Sequence, residues 1–151
     1  MLNYIQDDIL NSDCTYICHQ VNCRGVMGAG LAAQIKERWP QVYKEYHDLC
    51  EGNWWYCTSP IGTIQIVPIN EHQNVINMFA QENFGRDDRR YTSYDAFWLC
   101  LGQILDSTKP EDTIAFPFGI GCGLGGANWS VIRQMIETAL EDRNVVIYIK
   151  E

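Results

Sequence analysis

Apolar positions along the chain fall into two alternating periods. Six short runs are dense in Ile, Val, Tyr or Phe and mostly bounded by Gly, Pro, Asn or Asp: Leu2 to Gln6, Tyr16 to Asn22, Thr63 to Pro68, Asn74 to Ala80, Thr113 to Pro117 and Asn144 to Ile149. That composition predicts β-strands. Several runs are almost wholly apolar, which predicts burial on both faces and hence a mostly parallel sheet. Between them the period changes. From Gly28 to Arg38, Leu31 and Ile35 recur four apart toward Trp39, and Pro40 interrupts this helix before a second one carrying Val42, Tyr43, Tyr46 and Leu49. A third helix starts at Ser93 with Tyr94, Phe97, Trp98, Leu101, Ile104 and Leu105 on one stripe, and a fourth spans about Asn128 to Glu141 with Asn128 as its N-cap. Strands alternating with helices predict an α/β fold of three layers, α/β/α, around a mixed, mostly parallel central sheet.

No repeat, low-complexity tract or linker interrupts this order, so residues 1–151 read as a single domain. The least regular stretch is Gln81 to Arg90, QENFGRDDRR, a polar loop of nearly balanced charge that reads as a solvated connection or as a lid over a site. Composition narrows the classes of function. With 46% hydrophobic and 20% charged residues the chain has the balance of a folded globular protein. Its formal charge of −8 disfavours a non-specific grip on nucleic acid. An anionic ligand therefore needs a local pocket. No run approaches the ~20 apolar residues of a membrane span, and the start MLNYIQDD lacks the basic and apolar segments of a signal peptide. A cytoplasmic protein without membrane contact is expected. The seven cysteines include no CxxC pair, and His19, His47 and His72 are scattered, so neither a disulfide framework nor a metal site is expected. The aromatic stretch EGNWWYC, Glu51 to Cys57, fits a contact surface or core packing equally well.

Two glycine-rich segments each follow a strand and precede a helix: CRGVMGAG, Cys23 to Gly30, and GIGCGLGG, Gly119 to Gly126. Glycine lets the backbone approach a ligand, and a helix start offers unpaired N–H groups to an anion. Neither segment is a P-loop, because no Lys-Ser or Lys-Thr follows. GxGxxG occurs at Gly121 to Gly126 and GxGxxA at Gly28 to Ala33, yet neither is followed about twenty residues later by an acidic residue at the end of a second strand, as a dinucleotide fold requires. A phosphate-bearing ligand shared by the two loops, lying across the carboxyl ends of neighbouring strands, explains both.

Three segments in this order, Gln6 to Leu10 (QDDIL), His19 to Pro40 (HQVNCRGVMGAGLAAQIKERWP) and Ala115 to Trp129 (AFPFGIGCGLGGANW), resemble the macrodomain family, the ADP-ribose-binding fold. Within it they are most similar to the branch of terminal ADP-ribose glycohydrolases, antitoxin macrodomains that remove ADP-ribose from DNA, and the yeast ADP-ribose 1''-phosphate phosphatase. The resemblance implies that Asp8, beside Ile9, takes the adenine amino group, against the alternative of a solvated turn carboxylate or helix cap. It implies that Asn22 and the loop Gly25, Val26, Met27, Gly28, Ala29 and Gly30 surround the distal ribose; Asn22 could equally be a turn residue that satisfies its own backbone. The loop Gly119, Ile120, Gly121, Cys122, Gly123, Leu124 and Gly125 would cradle the diphosphate, and Tyr148 would line the adenosine side or be a buried strand tyrosine.

The same branch implies a lysine at the end of the strand matching Val75 to Ala80 and an aspartate in the second glycine loop. Here those positions hold Gln81 and Gly125. Glutamine cannot form a covalent sugar adduct and glycine supplies no base, so a lysine-dependent mechanism is not expected. Asn22 and His19 remain as catalytic candidates, with Arg24, Glu82 and Asp87 nearby by analogy; His19 alternates onto the face opposite Asn22 and reads equally as a satisfied core histidine. Cys122 reads as a small spacer more simply than as a nucleophile. The expectation is an ADP-ribose-processing hydrolase acting on a modified macromolecule without cofactor or metal. A non-catalytic ADP-ribose reader and an ADP-ribose 1''-phosphate phosphatase are the alternatives. Its partners would be ADP-ribose or an ADP-ribosylated macromolecule, and the chain is expected to be a monomer.

Overall fold

The computed structural model describes residues 2–52 and 59–150; of the aromatic stretch named above, residues 53–57 lie outside the described residues. Six strands form one sheet: β1 (Leu2–Gln6), β2 (Tyr16–Val21), β3 (Ile64–Pro68), β4 (Asn74–Phe79), β5 (Thr113–Pro117) and β6 (Asn144–Ile149), in the spatial order β1-β6-β5-β2-β4-β3. Every neighbouring pair is parallel except β3 with β4, which a short turn joins as an antiparallel hairpin at the edge. The mixed, mostly parallel sheet is the predicted one. So is its patterning, because the central β2, β4 and β5 are buried on both faces while the edge β1 is exposed.

Helices α1 (Gly30–Arg38) and α2 (Pro40–Glu51) cover one face, and α3 (Tyr94–Ser107) and α4 (Trp129–Ala139) cover the other. On the first face Ile35, Val42 and Tyr46 pack with Ile17, Val21, Val75 and Phe79. On the second Phe97, Leu101, Ile104 and Ile132 pack with Cys18, Ile76, Met78 and Phe116. The alternation of β2 thus sends Ile17, His19 and Val21 to the α1/α2 side, and Cys18 and Gln20 to the other. Asn128 caps α4 as the sequence predicts, accepting from the Ser130 amide, and Ser93, read as the start of the third helix, caps α3 by accepting from the Ala96 amide. α1 starts at Gly30 and not at Gly28, because Ala29 is extended at φ −149° and ψ 159°.

One pairing detail makes room for a site. β2 and β5 are in register only at Tyr16↔Ile114 and Ile17↔Ala115. Both strands run on, through Cys18 to Val21 and through Phe116 to Pro117, and part as they do so. A crevice opens between their carboxyl ends, where open α/β sheets receive ligands.

Candidate functional site

Three adjoining hollows of about 320, 270 and 260 Å³ form one cleft over that crevice. The first and second share Gln20, Ala29, Gln81 and Leu124, and the second and third share Gly30, Leu31 and Phe118. Both glycine loops are therefore walls of a single cavity, as the sequence predicts. Three large apolar side chains stand half exposed along it, Phe84 (51%), Phe118 (49%) and Leu124 (49%), and Phe118 is tilted against Trp129 with ring centres 4.7 Å apart.

The first wall is shaped by Asn22. Its Nδ2 donates to Val26 O (2.8 Å) and its Oδ1 accepts from Arg24 N (2.9 Å), closing a turn of the Asx type. The Tyr46 hydroxyl reaches up from α2 to Asn22 O and Oδ1 at 2.8 and 2.7 Å. The Asn22 amide thus holds the loop through both its oxygen and its nitrogen, and Asn22 and Val26 line the first hollow. This wall ends at α1, whose N-cap Ala29 provides no capping side chain. Its first amides and the positive end of its dipole are open to an anion.

The second wall runs from Gly119 to Gly126. Its turns use the amides of Ile120, Cys122 and Gly126, which donate to Pro117 O, Gly119 O and Gly123 O. The amides of Gly121, Gly123 and Leu124 have no backbone acceptor among the described residues. The end of α4 differs from that of α1: Asn128 Oδ1 already caps it, so the second glycine loop presents its own amides and not a free helix start.

Between the walls lies a polar floor in which Gln81, singled out in the sequence, is joined by Gln20 and Thr92, which were not. Gln20 Nε2 donates to Gln81 Oε1 (2.7 Å) and to Thr92 Oγ1 (2.8 Å), Gln81 Nε2 donates to Asn83 O, and Thr92 Oγ1 donates to Gly121 O. Gln20 Oε1 is buried without a partner. An unmet buried acceptor costs about 1–3 kcal/mol. The loop from Gln81 to Arg90 is tied to both walls, by Cys23 N to Glu82 O, Arg24 Nε to Asn83 Oδ1, and the Tyr91 and Thr92 amides to Gly125 O. Phe84 and Arg86 of this loop line the cleft, so it is a wall of the site.

At the far end Asp8 and Ile9 lie with Tyr148 and Phe118 around the third hollow. Asp8 Oδ1 accepts from Leu10 N and Oδ2 pairs with Lys150 Nζ at 3.1 Å. The Leu10 amide, then Lys150, hold its carboxyl below the usual carboxylate range. Tyr148 is a buried strand residue with its hydroxyl 4.0 Å from Cys14 Sγ, and burial raises it.

The remaining candidates are bonded to other partners, although His19 also borders the second hollow. His19 is 1% exposed, its Nε2 faces Asn77 Oδ1, and burial pushes it down to about 4 despite that bond. Glu82 accepts from Ser59 Oγ through both oxygens, and Asp87 is a surface carboxylate held by Arg89 N and Tyr91 OH. Burial raises the Cys122 thiol, which donates to Ile120 O, so its place at a loop apex does not make it a thiolate. Among the described residues no cluster of three or more His, Cys, Asp or Glu could hold a metal. Gln20, Thr92, Phe118, Phe84 and Arg86 were missed. Gln20 was hidden inside a run read as strand, Phe84 and Arg86 lie in the loop read as a connection or a lid, Thr92 follows that loop, and Phe118 precedes the second glycine segment.

The family profile described as "Macro domain" matches residues 18–136. A DNA ADP-ribosyl glycohydrolase of Mycobacterium tuberculosis is 28% identical over 98% of this chain and 42% of its own length, so the chain spans less than half of that relative. The ADP-ribose 1''-phosphate phosphatase of Saccharomyces cerevisiae is 29% identical over 97% of both chains. Among solved structures, the macrodomain of Mycobacterium tuberculosis DarG superposes with a TM-score of 0.78 at 26% identity, covering 98% of this chain and 97% of that one.

Proposed function

The chain belongs to the Macro domain family, and from that membership we propose that it binds ADP-ribose along the cleft and hydrolyses an ADP-ribose derivative, releasing ADP-ribose from a modified macromolecule. The observation that carries the reading is the continuity of the cleft: two glycine walls rich in free amides meet over one crevice, with a carboxylate at one end and an amide floor at the other. Asp8 is matched to the exocyclic amine of adenine through charge-assisted hydrogen bonding, with Ile9, Tyr148 and Phe118 around the base. The uncapped α1 start and the Gly121, Gly123 and Leu124 amides suit the diphosphate. The distal ribose then falls between the loop Gly25–Ala29 and Gln81. Hydrolysis there proceeds by positioning a water against the sugar, with Asn22 acting through the loop it holds. The relatives' names support a substrate carrying ADP-ribose on DNA, or ADP-ribose 1''-phosphate.

A second reading is favoured by Gln81 and Gly125: with neither amine nor carboxylate at the sugar, the chain would be a reader that binds ADP-ribose and leaves it intact. Calorimetric titration with ADP-ribose, followed by product analysis with ADP-ribosylated DNA, ADP-ribosylated protein and ADP-ribose 1''-phosphate, separates the readings. Binding with release of ADP-ribose from a macromolecule supports the hydrolase. Phosphate release alone assigns a phosphatase, binding without any product assigns a reader, and absence of binding removes the ligand class. Asp8→Ala should weaken ADP-ribose binding about tenfold, or ~1.4 kcal/mol, by loss of one charge-assisted contact. Unchanged affinity would overturn the adenine assignment.

A further inference from the structure

The three hollows have an order along the cleft. Asp8 stands only at the third, Gln81 is shared by the first and second, and Phe84, Gly85 and Arg86 line the first alone. With adenine at Asp8, the distal sugar falls beside Gln81, and whatever that sugar is joined to leaves the cleft past Phe84 and Arg86. This exit is fixed by its neighbours. A Cβ on Gly85 would overlap the Tyr91 hydroxyl, so glycine lets the loop lie directly on Tyr91, which in turn donates to Asp87 Oδ1. From the opposite wall Arg24 Nε donates to Asn83 Oδ1 at 2.6 Å. Phe84 is held between these ties with half of its surface open.

An exposed ring at the exit of a sugar subsite presents a flat apolar face. Beside it Arg86 is exposed, and among the described residues neither Arg86 nor Arg24 forms an ion pair. We propose that Phe84 stacks on the nucleobase to which ADP-ribose is joined and that Arg86 takes a neighbouring phosphate, so that the substrate is a single-stranded nucleic acid modified on a base. The inference rests on the ADP-ribose reading above and gives it an acceptor. The two side chains decide between acceptors. A guanidinium is flat but cationic, and Arg86 repels it. Aliphatic carboxyl and hydroxyl acceptors on a peptide bring no ring face to Phe84. A base inside a duplex has both faces stacked already, so only an unpaired or extruded base can lie on the ring. Neither contact reads a 2′-hydroxyl, so DNA and RNA strands are both accepted. The formal charge of −8 confines the grip to the phosphates that reach this exit.

Two conjugates test this: a short single-stranded oligonucleotide ADP-ribosylated on a base, and an ADP-ribosylated peptide. Each is read as Kd where it stays intact and as kcat/KM where it is cleaved, so the test serves a reader and a hydrolase alike. Phe84→Ala should cost the oligonucleotide about tenfold more than the peptide, the loss of one base-stacking contact, and Phe84→Tyr, which keeps the ring, should restore it. Arg86→Gln should flatten the slope of log affinity against log salt by about 0.7 for the oligonucleotide. Annealing a complementary strand should weaken the oligonucleotide, because its base must first leave the stack. Equal losses on both conjugates would make Phe84 a general apolar contact, a larger loss on the peptide would assign a protein acceptor, and no loss on either would remove Phe84 from the site. Each of these overturns the inference, and an unaffected duplex overturns its single-strand assignment. Titration of the wild-type protein with free ADP-ribose is read separately, and binding there keeps the functional reading intact whatever the conjugates do.

Discussion

Gly125→Asp is expected to lower the unfolding free energy by about 3 kcal/mol and to abolish binding in the cleft, although it restores the carboxylate that the related glycohydrolases are expected to carry there. A Cβ at 125 would overlap Thr92 Oγ1 and stand 2.6 Å from Gly121 O and 3.2 Å from Gly121 C. The Thr92 hydroxyl cannot simply turn aside, because it receives Gln20 Nε2 and donates to Gly121 O. Gly125 O is equally fixed by the Tyr91 and Thr92 amides. An added side chain must therefore break the floor of the site or displace the loop that carries its free amides. Thr92→Ala removes the nearest obstacle, so the double variant should be less destabilised than the sum of the two single ones, a coupling expected of residues in contact. Urea unfolding of the four proteins measures it. Near-native stability of the single Gly125→Asp variant would mean that the loop yields easily and that Thr92 is not its lock.

This coupling shows where sequence reasoning reaches and where it stops. The strand and helix periods predict all six strands within a residue and the first and fourth helices within two, and they place the second and third, because each central strand is buried on both faces and the helices turn apolar residues toward the sheet. Both glycine loops were legible as cleft walls for the same local reason: they interrupt those periods at strand ends. What stayed hidden depends on contacts between distant segments. Gln20 and Thr92 become neighbours only when β2 and the start of α3 are brought to the same sheet end. Asn22 was legible as a loop residue, but the Tyr46 hydroxyl that completes its bonding comes from another element. The loss of lysine and aspartate was visible at Gln81 and Gly125. That their replacements belong to one hydrogen-bonded floor was not.

His19 provides the second large effect, and its sign follows from a chain of hydrogen-bonded side chains that runs from half-buried Gln65 to buried Asn77 and His19. Gln65 Nε2 donates to Glu45 O, so Gln65 Oε1 accepts from Asn77 Nδ2, and Asn77 Oδ1 is left to accept from His19 Nε2. The proton of the neutral imidazole therefore sits on Nε2, and Nδ1 is a buried acceptor without a partner. Protonation would place a charge and an unmet donor in the core, and burial accordingly lowers His19 from its ordinary 6.5 to about 4. A histidine depressed in the folded state stabilises the fold fully above the unfolded value, and that contribution is lost as pH falls from 6.5 through about 4. The full loss is on the order of 3 kcal/mol. His19→Gln, which cannot titrate, should be less stable than wild type at pH ~7, and the gap should close by ~2–3 kcal/mol by pH ~4.5. Parallel stability curves for the two proteins would contradict the assignment. The result also bears on chemistry: an imidazole that is neutral at physiological pH carries only the Nε2 proton it commits to Asn77 and so is no general acid, and its low basicity makes it a weak base. Any pH–rate dependence near 6.5 must then come from another group or from the substrate, and hydrolysis, if it occurs, relies on the cleft's amides and on the water they position.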